Sequence, residues 1–551
     1  MRLTIALWCL VGMATQVSAA SPSLTSISPR GGQRGTEVEL RFGGNRLGDA
    51  VDVLFYEAGF ELASLKAENA KDVRARVKIA ADCRLGVHSM RVRTKSGISE
   101  LRTFFVGALP AAPEKEPNSD FAEPQKVSLN ATIDGVVESE DVDYYAFDAK
   151  KGQRVTAEIE AMRLGVSIFD PYIALLDSAR FELASCDDSA LLKQDAVCQA
   201  IIPKDGTYYL QVRESSYGGG SSARYRVHLG TFARPTAVYP AGAKEGTKVD
   251  LRLLGDASGE IQRTIEKPSL DLDGVFVSDD AGFAPSPNPF RVSPYENVLE
   301  VEPNNKSKAA TPGKAPCAFN GVIEKPGDID YFRFQAKKGQ VFDIEVYARR
   351  VRSPLDPVLR IYHFGGKQIV SNDDSRGPDS FLRFQAPEAK EYAIRIDDHL
   401  KAGGPKYVYR VEVFPVTRSV ELSIPRVARY SQERQSIAVP KGNRVATLVS
   451  ATRRNFGGDL KVSAQSLPAG VSIASETLPA SLTQIPVLFS SSTDAKLAGS
   501  LTDLRAKQVV EKNAVEGGFA LTVDLLVGEP GQAVYLTQSV DRLAVAVTEA
   551  V

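Results

Sequence analysis

A single tryptophan, four histidines, four methionines and five cysteines are all that the 551 residues contain of those types. The cysteines and histidines are scattered, with no paired Cys-x-x-Cys and no HExxH, so no zinc site is implied. No G-x-S-x-G frames a nucleophile elbow. No glycine-rich stretch has the spacing of a P-loop or a dinucleotide fold. Neither sign of charge dominates: 67 Lys and Arg against 68 Asp and Glu leave a net charge of −1. Without a global basic field, nucleic acid and anionic membranes are not expected partners. Beyond the N-terminal segment no apolar run is long enough to span a bilayer.

The chain begins MRLTIALWCLVGMATQVSAA. One early positive charge, a short apolar run and small residues at Val17 and Ala19 read as a secretory signal peptide over residues 1–19. Trp8 and Cys9 leave with it, and losing Arg2 takes the net charge from −1 to −2. The mature protein is expected to be exported: periplasmic, cell-surface or extracellular. Export permits disulfides, and Cys186 and Cys198 are close enough in sequence to form one, with a loop stabilisation of about 3 kcal/mol. Nothing pairs Cys83 or Cys317.

What the chain does have is repetition. EKEPNSD (114–120) and DVDYYAFDAKKGQ (141–153) return as EVEPNN (300–305) and DIDYFRFQAKKGQ (328–340). SIFDP (167–171) matches SPLDP (353–357), and CDDS (186–189) matches NDDS (372–375). Self-similarity on this scale means a duplicated domain. A quieter repeat precedes each copy: SISPRGGQRGTEVELRFGG (26–44) is echoed by AVYPAGAKEGTKVDLRLLG (237–255). The duplicated unit is therefore a pair, its leading member shorter the second time.

Alternating segments rich in β-branched and aromatic residues occur at 155–161, 207–214 and 225–230, and again at 342–348, 392–398 and 409–414. KKGQ, KDG and GPDS punctuate them as turns. Short strands at this spacing predict an all-β chain of tandem β-sandwiches, Ig-like and jelly-roll-like, with very little helix.

Over their motifs the two main copies resemble the bacterial pre-peptidase C-terminal domain, which is similar to the collagen-binding domains of secreted bacterial collagenases. The leading segment resembles the IPT/TIG Ig-like family through SISPRGGQRGTEVELRFGGNRLGD, and the end of the chain resembles Ig-like or fibronectin-like modules through LPAGVSI (467–473). The resulting division is 21–108 IPT/TIG-like, 110–232 first copy, 234–293 shortened IPT/TIG-like, 295–416 second copy and 417–551 C-terminal β domain. The resemblance implies a non-catalytic module that accompanies exported peptidases.

Calcium needs six to eight oxygen ligands at once, and acids gathered without a base repel one another until a cation compensates them. Glu114, Glu116, Asn118, Asp120, Asp141 and Asp143 form one candidate set. Glu300, Glu302, Asn304, Asp328 and Asp330 form the other, with Asn305 taken as the replacement for Asp120. The collagenase-type relatives hold calcium in an acidic opening segment and an Asp pair. That resemblance maps onto Glu116, Asn118, Asp141 and Asp143, and onto Glu302, Asn304, Asp328 and Asp330. The plainer reading of these residues is turn and linker chemistry.

Asp187-Asp188 and Asp373-Asp374 read as solvated turns, and no catalytic residue is expected. The sequence thus points to a secreted, non-enzymatic binding or scaffolding protein with calcium-stiffened joints. An extracellular protein or polysaccharide would be its partner. A peptidase or its accessory part, and an adhesin, are the alternatives.

Overall fold

The computed structural model describes residues 21–510, 512–529 and 533–550, so the expected signal peptide lies outside the described residues. Strands account for nearly all regular structure, and the helical elements among the described residues are three 3-10 turns. None of its helices is long and apolar enough to cross a membrane.

The leading segment packs a four-stranded sheet holding Glu37–Asn45 and Asp72–Ile79 against a second that holds Gly86–Thr94 and Arg102–Gly107. Asp72–Ile79 alternates buried and exposed residues along its length, as a sheet with one wet face must. Leu40, Phe42, Val73, Val77 and Phe104 fill the core.

The two copies have the same topology. In the first, one sheet runs Gln125–Lys126, Val142–Ala149, Gly206–Glu214, Pro171–Leu176, Glu182–Cys186; the second runs Thr311–Pro312, Asp330–Ala336, Lys390–Asp398, Pro357–His363, Gln368–Asn372. The facing sheets match as well, each closed by a short parallel strand, Ala111–Pro113 or Glu296–Leu299. All six strands expected from alternation in the two copies are present, displaced at their ends by a residue or two.

Residues 234–293 share the leading segment's opening: Gly242–Lys244 pairs in parallel with Arg291–Ser293, as Gly31–Gln33 does with Arg102–Gly107. The final region holds a four-stranded and a five-stranded sheet and a separate hairpin of Leu521–Val527 and Val534–Val540, with its own core around Val449, Val487, Phe489 and Leu504. It folds back onto the leading segment. Leu54 and Ile98 pack with Ala544 and Ala546, and Leu101 N–H donates to Gln432 Oε1 at 2.8 Å.

Buried arginines join neighbouring units at equivalent places. Arg226 follows Tyr225 and Arg410 follows Tyr409, and both side chains are buried. Arg226 bonds Glu160 at 2.6 Å and Asp134 at 3.0 Å, and any side chain at Gly31 of the preceding unit would overlap its guanidinium. Arg410 bonds Glu412 at 2.9 Å, Asn297 at 2.7 Å and Ser293 at 2.9 Å. Charge is thus buried with its partner at each joint.

The structure does not form the expected Cys186–Cys198 disulfide; all four described cysteines are free thiols. The two residues lie on edge strands of opposite sheets. Cys198 packs into the core, while the Cys186 thiol is directed at the Asp188 carbonyl, 3.3 Å away.

Candidate metal centre

In the first copy, the parallel strand Ala111–Pro113 delivers Glu114 to the end of Ala131–Val136, where its Oε2 accepts the Val136 N–H at 2.9 Å. Two residues on, the Glu116 carboxylate accepts the Asn118 N–H at 2.9 Å, and the Asn118 carbonyl accepts the Tyr144 N–H at 3.0 Å. These bonds hold the opening segment against Val142–Ala149. Glu114, Glu116 and Asp143 each present a carboxylate oxygen, all within 4.8 Å of one another.

The second copy repeats this. Glu300 accepts the Val322 N–H at 2.9 Å, Glu302 accepts the Asn304 N–H at 2.9 Å, and Glu300, Glu302 and Asp330 converge within the same 4.8 Å.

Tyrosines from a distant strand brace both clusters. Tyr225 Oη lies 2.6 Å from Asp143 and 2.9 Å from Glu114; Tyr409 Oη lies 2.6 Å from Asp330. The first copy adds Tyr145, whose hydroxyl donates to Glu114 at 2.8 Å. Phe332 stands at that place in the second, and Glu300 Oε2 consequently receives no bond from the protein. Glycines make room: a Cβ at Gly135 would overlap the Tyr225 ring and sit 2.6 Å from Glu114 Oε1, and one at Gly321 would sit 2.5 Å from Glu300 Oε2. Sequence reading missed the tyrosines and glycines. Comparison of the copies could have found them, because Gly135-Val136 returns as Gly321-Val322 and Tyr225-Arg226 as Tyr409-Arg410.

The donor set fits a hard cation. Asn118 and Asn304 are wholly buried, and Asn118 Oδ1, Asn304 Oδ1, Asp143 Oδ1 and Asp330 Oδ1 accept no hydrogen bond from the protein. Buried oxygens without partners are costly. Burial, then the neighbouring Glu114, pushes Asp143 up to about 9. Burial and the charge of Asp330 raise Glu300, and burial with Asp328 and Glu302 nearby raises Asp330. Carboxyls so placed are neutral at physiological pH unless a cation takes the place of the proton.

The remaining expected ligands do not converge. Asp120 is exposed and accepts the Ala122 N–H at 2.9 Å, bracing its own turn. Asp141 accepts from Ser119 Oγ at 2.7 Å and from the Val142 N–H at 2.8 Å. Asp328 accepts from the Asn305 side chain and from the Glu324 N–H at 2.9 Å. Asn305 therefore corresponds to Ser119, not to Asp120, whose counterpart is Lys306. Asp187, Asp188, Asp373 and Asp374 lie exposed in the loops that follow Glu182–Cys186 and Gln368–Asn372.

One other group has the outline of chemistry. Cys83 Sγ lies 4.0 Å from His88 Nε2, and His88 Nδ1 lies 3.8 Å from Glu57. Burial raises the thiol and lowers the imidazole to about 4, opposite to what a thiolate–imidazolium pair requires. His88 Nε2 is moreover 2.6 Å from the Arg84 carbonyl. These residues belong to the core.

Residues 141–214 match the bacterial pre-peptidase C-terminal domain. A "probable subtilase-type serine protease" of Deinococcus radiodurans is 33% identical over 110 residues, covering 19% of this chain and 14% of that protein. The chain thus spans a small part of that relative. The solved pre-peptidase C-terminal domain of the Bacillus anthracis collagenase aligns at 14% identity and a TM-score of 0.17, over 21% of this chain and 99% of that one. A Bacteroides ovatus protein, SGBP-B of a mixed-linkage glucan utilization locus, aligns at 8% identity and a TM-score of 0.14, over 70% and 72% of the two chains.

Proposed function

We propose that this is an exported, non-catalytic binding or scaffolding protein whose two duplicated sandwiches are both pre-peptidase C-terminal domains, each preceded by an IPT/TIG-like unit and each holding one calcium ion. The observation that carries the reading is the recurrence, in both copies, of three converging carboxylates beside a buried asparagine oxygen without a partner. Glu114, Glu116, Asp143 and Asn118 would supply oxygens in the first copy; Glu300, Glu302, Asp330 and Asn304 would in the second, with water completing the shell. A cation there would neutralise repelling acids and tie the opening segment to the sandwich.

Calcium titration by calorimetry, beside thermal unfolding with calcium and with chelator, tests this. Two sites are expected, and calcium at 100 times its dissociation constant should stabilise by about 2.7 kcal/mol. Identical melting in both conditions overturns the metal assignment.

The match to a subtilase-type protease favours a second reading, in which the chain serves a secreted peptidase as an accessory. An active-site serine probe separates that from intrinsic catalysis: labelling of this chain would make it the enzyme.

A further inference from the structure

A cavity of about 340 Å³ lies where five parts of the chain meet. The leading segment, the first copy, residues 234–293, the second copy and the C-terminal unit all contribute to its wall. Its volume is within the ~300–1,000 Å³ of small-molecule sites. Much of the wall is apolar, with Phe105, Met162, Leu191, Pro287 and Leu536 among its residues.

Its acids are mostly engaged, whereas three of its four cations have no acid partner among the described residues. Asp195 accepts the Met162 N–H at 2.8 Å and pairs with Arg163 at 3.0 Å. Glu160 is taken by Arg226 at 2.6 Å. Asp273, which is exposed, is the remaining acid of the wall. Against it stand Arg84, Lys193 and Arg352, none of which has a carboxylate within ion-pair distance among the described residues. Burial and then the Arg352 guanidinium push Lys193 down, and burial and then Arg163 push Arg352 down. Lys193 and Arg352 thus line the same space with no acid paired to either among the described residues.

Backbone conformation marks two of these residues. Arg352 has φ +65° and Lys193 has φ +64°, in the left-handed region that side chains rarely adopt. Arg352 closes the 3-10 turn Arg349–Val351, and the equivalent turn Met162–Leu164 of the first copy is closed by Gly165. The second copy thus carries arginine where its twin uses the residue the backbone prefers. An outlier of this kind is a reason to look for function.

We propose that this junction cavity binds a small organic anion, with its carboxylate held by Lys193 and Arg352 and an apolar group against Phe105, Met162 and Leu191. The guanidinium can grip a carboxylate through two parallel N–H bonds, while the ammonium adds a point charge. A bound molecule would touch all five parts of the chain and hold them closed. A peptide C-terminus with an apolar last residue and a free aryl-alkyl acid share this chemistry.

Calorimetry on the whole mature chain, at fixed calcium, with N-acetyl-leucyl-phenylalanine, its C-terminal amide and 3-phenylpropionate tests the site. The free-acid peptide should bind at least about tenfold more tightly than the amide. Phenylpropionate matching the peptide would make a simple organic acid sufficient; weaker binding would favour a peptide end. Lys193→Met should weaken binding about tenfold or more. Arg352→Gly should do the same while melting no lower than the parent, because it installs the residue found at 165. Equal binding of acid and amide, no binding at millimolar probe, or native affinity in folded Arg352→Gly would each overturn the proposal.

Discussion

Tyr225 donates its hydroxyl to the Asp143 carboxylate at 2.6 Å, and Tyr409 repeats the bond to Asp330 at the same distance. In each copy the acceptor lies at the start of one strand and the donor on a strand 79 or 82 residues away, in the facing sheet. This pair closes the acidic cluster from beneath. The copies then diverge at one neighbour, Tyr145 against Phe332, and that difference is a natural experiment.

Phe332→Tyr should supply the second copy with the donor that Glu300 Oε2 lacks. We expect metal-free protein to gain about 1 kcal/mol, the net worth of one hydrogen bond. A separate change, Tyr225→Phe, takes the donor from Asp143 and should cost about 1–3 kcal/mol. Urea unfolding in chelator measures both; no loss in Tyr225→Phe would remove the tyrosine from the cluster's support.

Stability of the metal-free protein should fall as pH rises. The folded state holds a proton on Asp143 that the unfolded chain releases above its ordinary value of 3.8, and it keeps that proton to about 9. More protons are bound in the folded state across that window, so the slope is negative, up to about 1.4 kcal/mol per pH unit for one proton. Calcium replaces the proton and should flatten the slope. Denaturant midpoints at several pH values, with and without calcium, read it directly, and parallel curves would count against a metal-linked proton.

Gly135→Ala and Gly321→Ala should each disable one site. The added Cβ meets a tyrosine and a cluster glutamate, so overpacking should cost about 1–3 kcal/mol. Each variant should bind one calcium by calorimetry where the parent binds two. Two sites in either variant would mean that the cluster is not the binding site.

Arg410→Met should cost about 3–5 kcal/mol, because it leaves the buried Glu412 with one arginine, Arg291 at 3.3 Å, in place of two. The loss should appear as earlier protease cleavage between residues 234–293 and the second copy. A joint held mainly by calcium would instead be cleaved earlier only in chelator.

Part of this arrangement was legible in the sequence. The six alternating segments become strands because a period of two puts one face in the core. The duplicated acids fall at the openings of the two sandwiches. The choice among those acids was not legible: Asp141 and Asp328 turn to backbone N–H groups of their own tight turns, and Asp120 does the same. Nor was it legible that Glu158 and Glu160, polar positions of the alternating segment 155–161, are buried, because Arg234 and Arg226 cover them.

By itself, then, the sequence determined what neighbours in the chain can settle. That is the all-β class, the duplication and the clustering of carboxylates, all of which follow from side-chain alternation and turn chemistry. Tertiary structure alone decided which oxygens converge, that Tyr225 and Tyr409 brace them, and that five parts of the chain meet at the cavity lined by Lys193 and Arg352. Such relationships join residues far apart in sequence. Their energies depend on burial and on distances of a few ångströms, which local pattern does not encode.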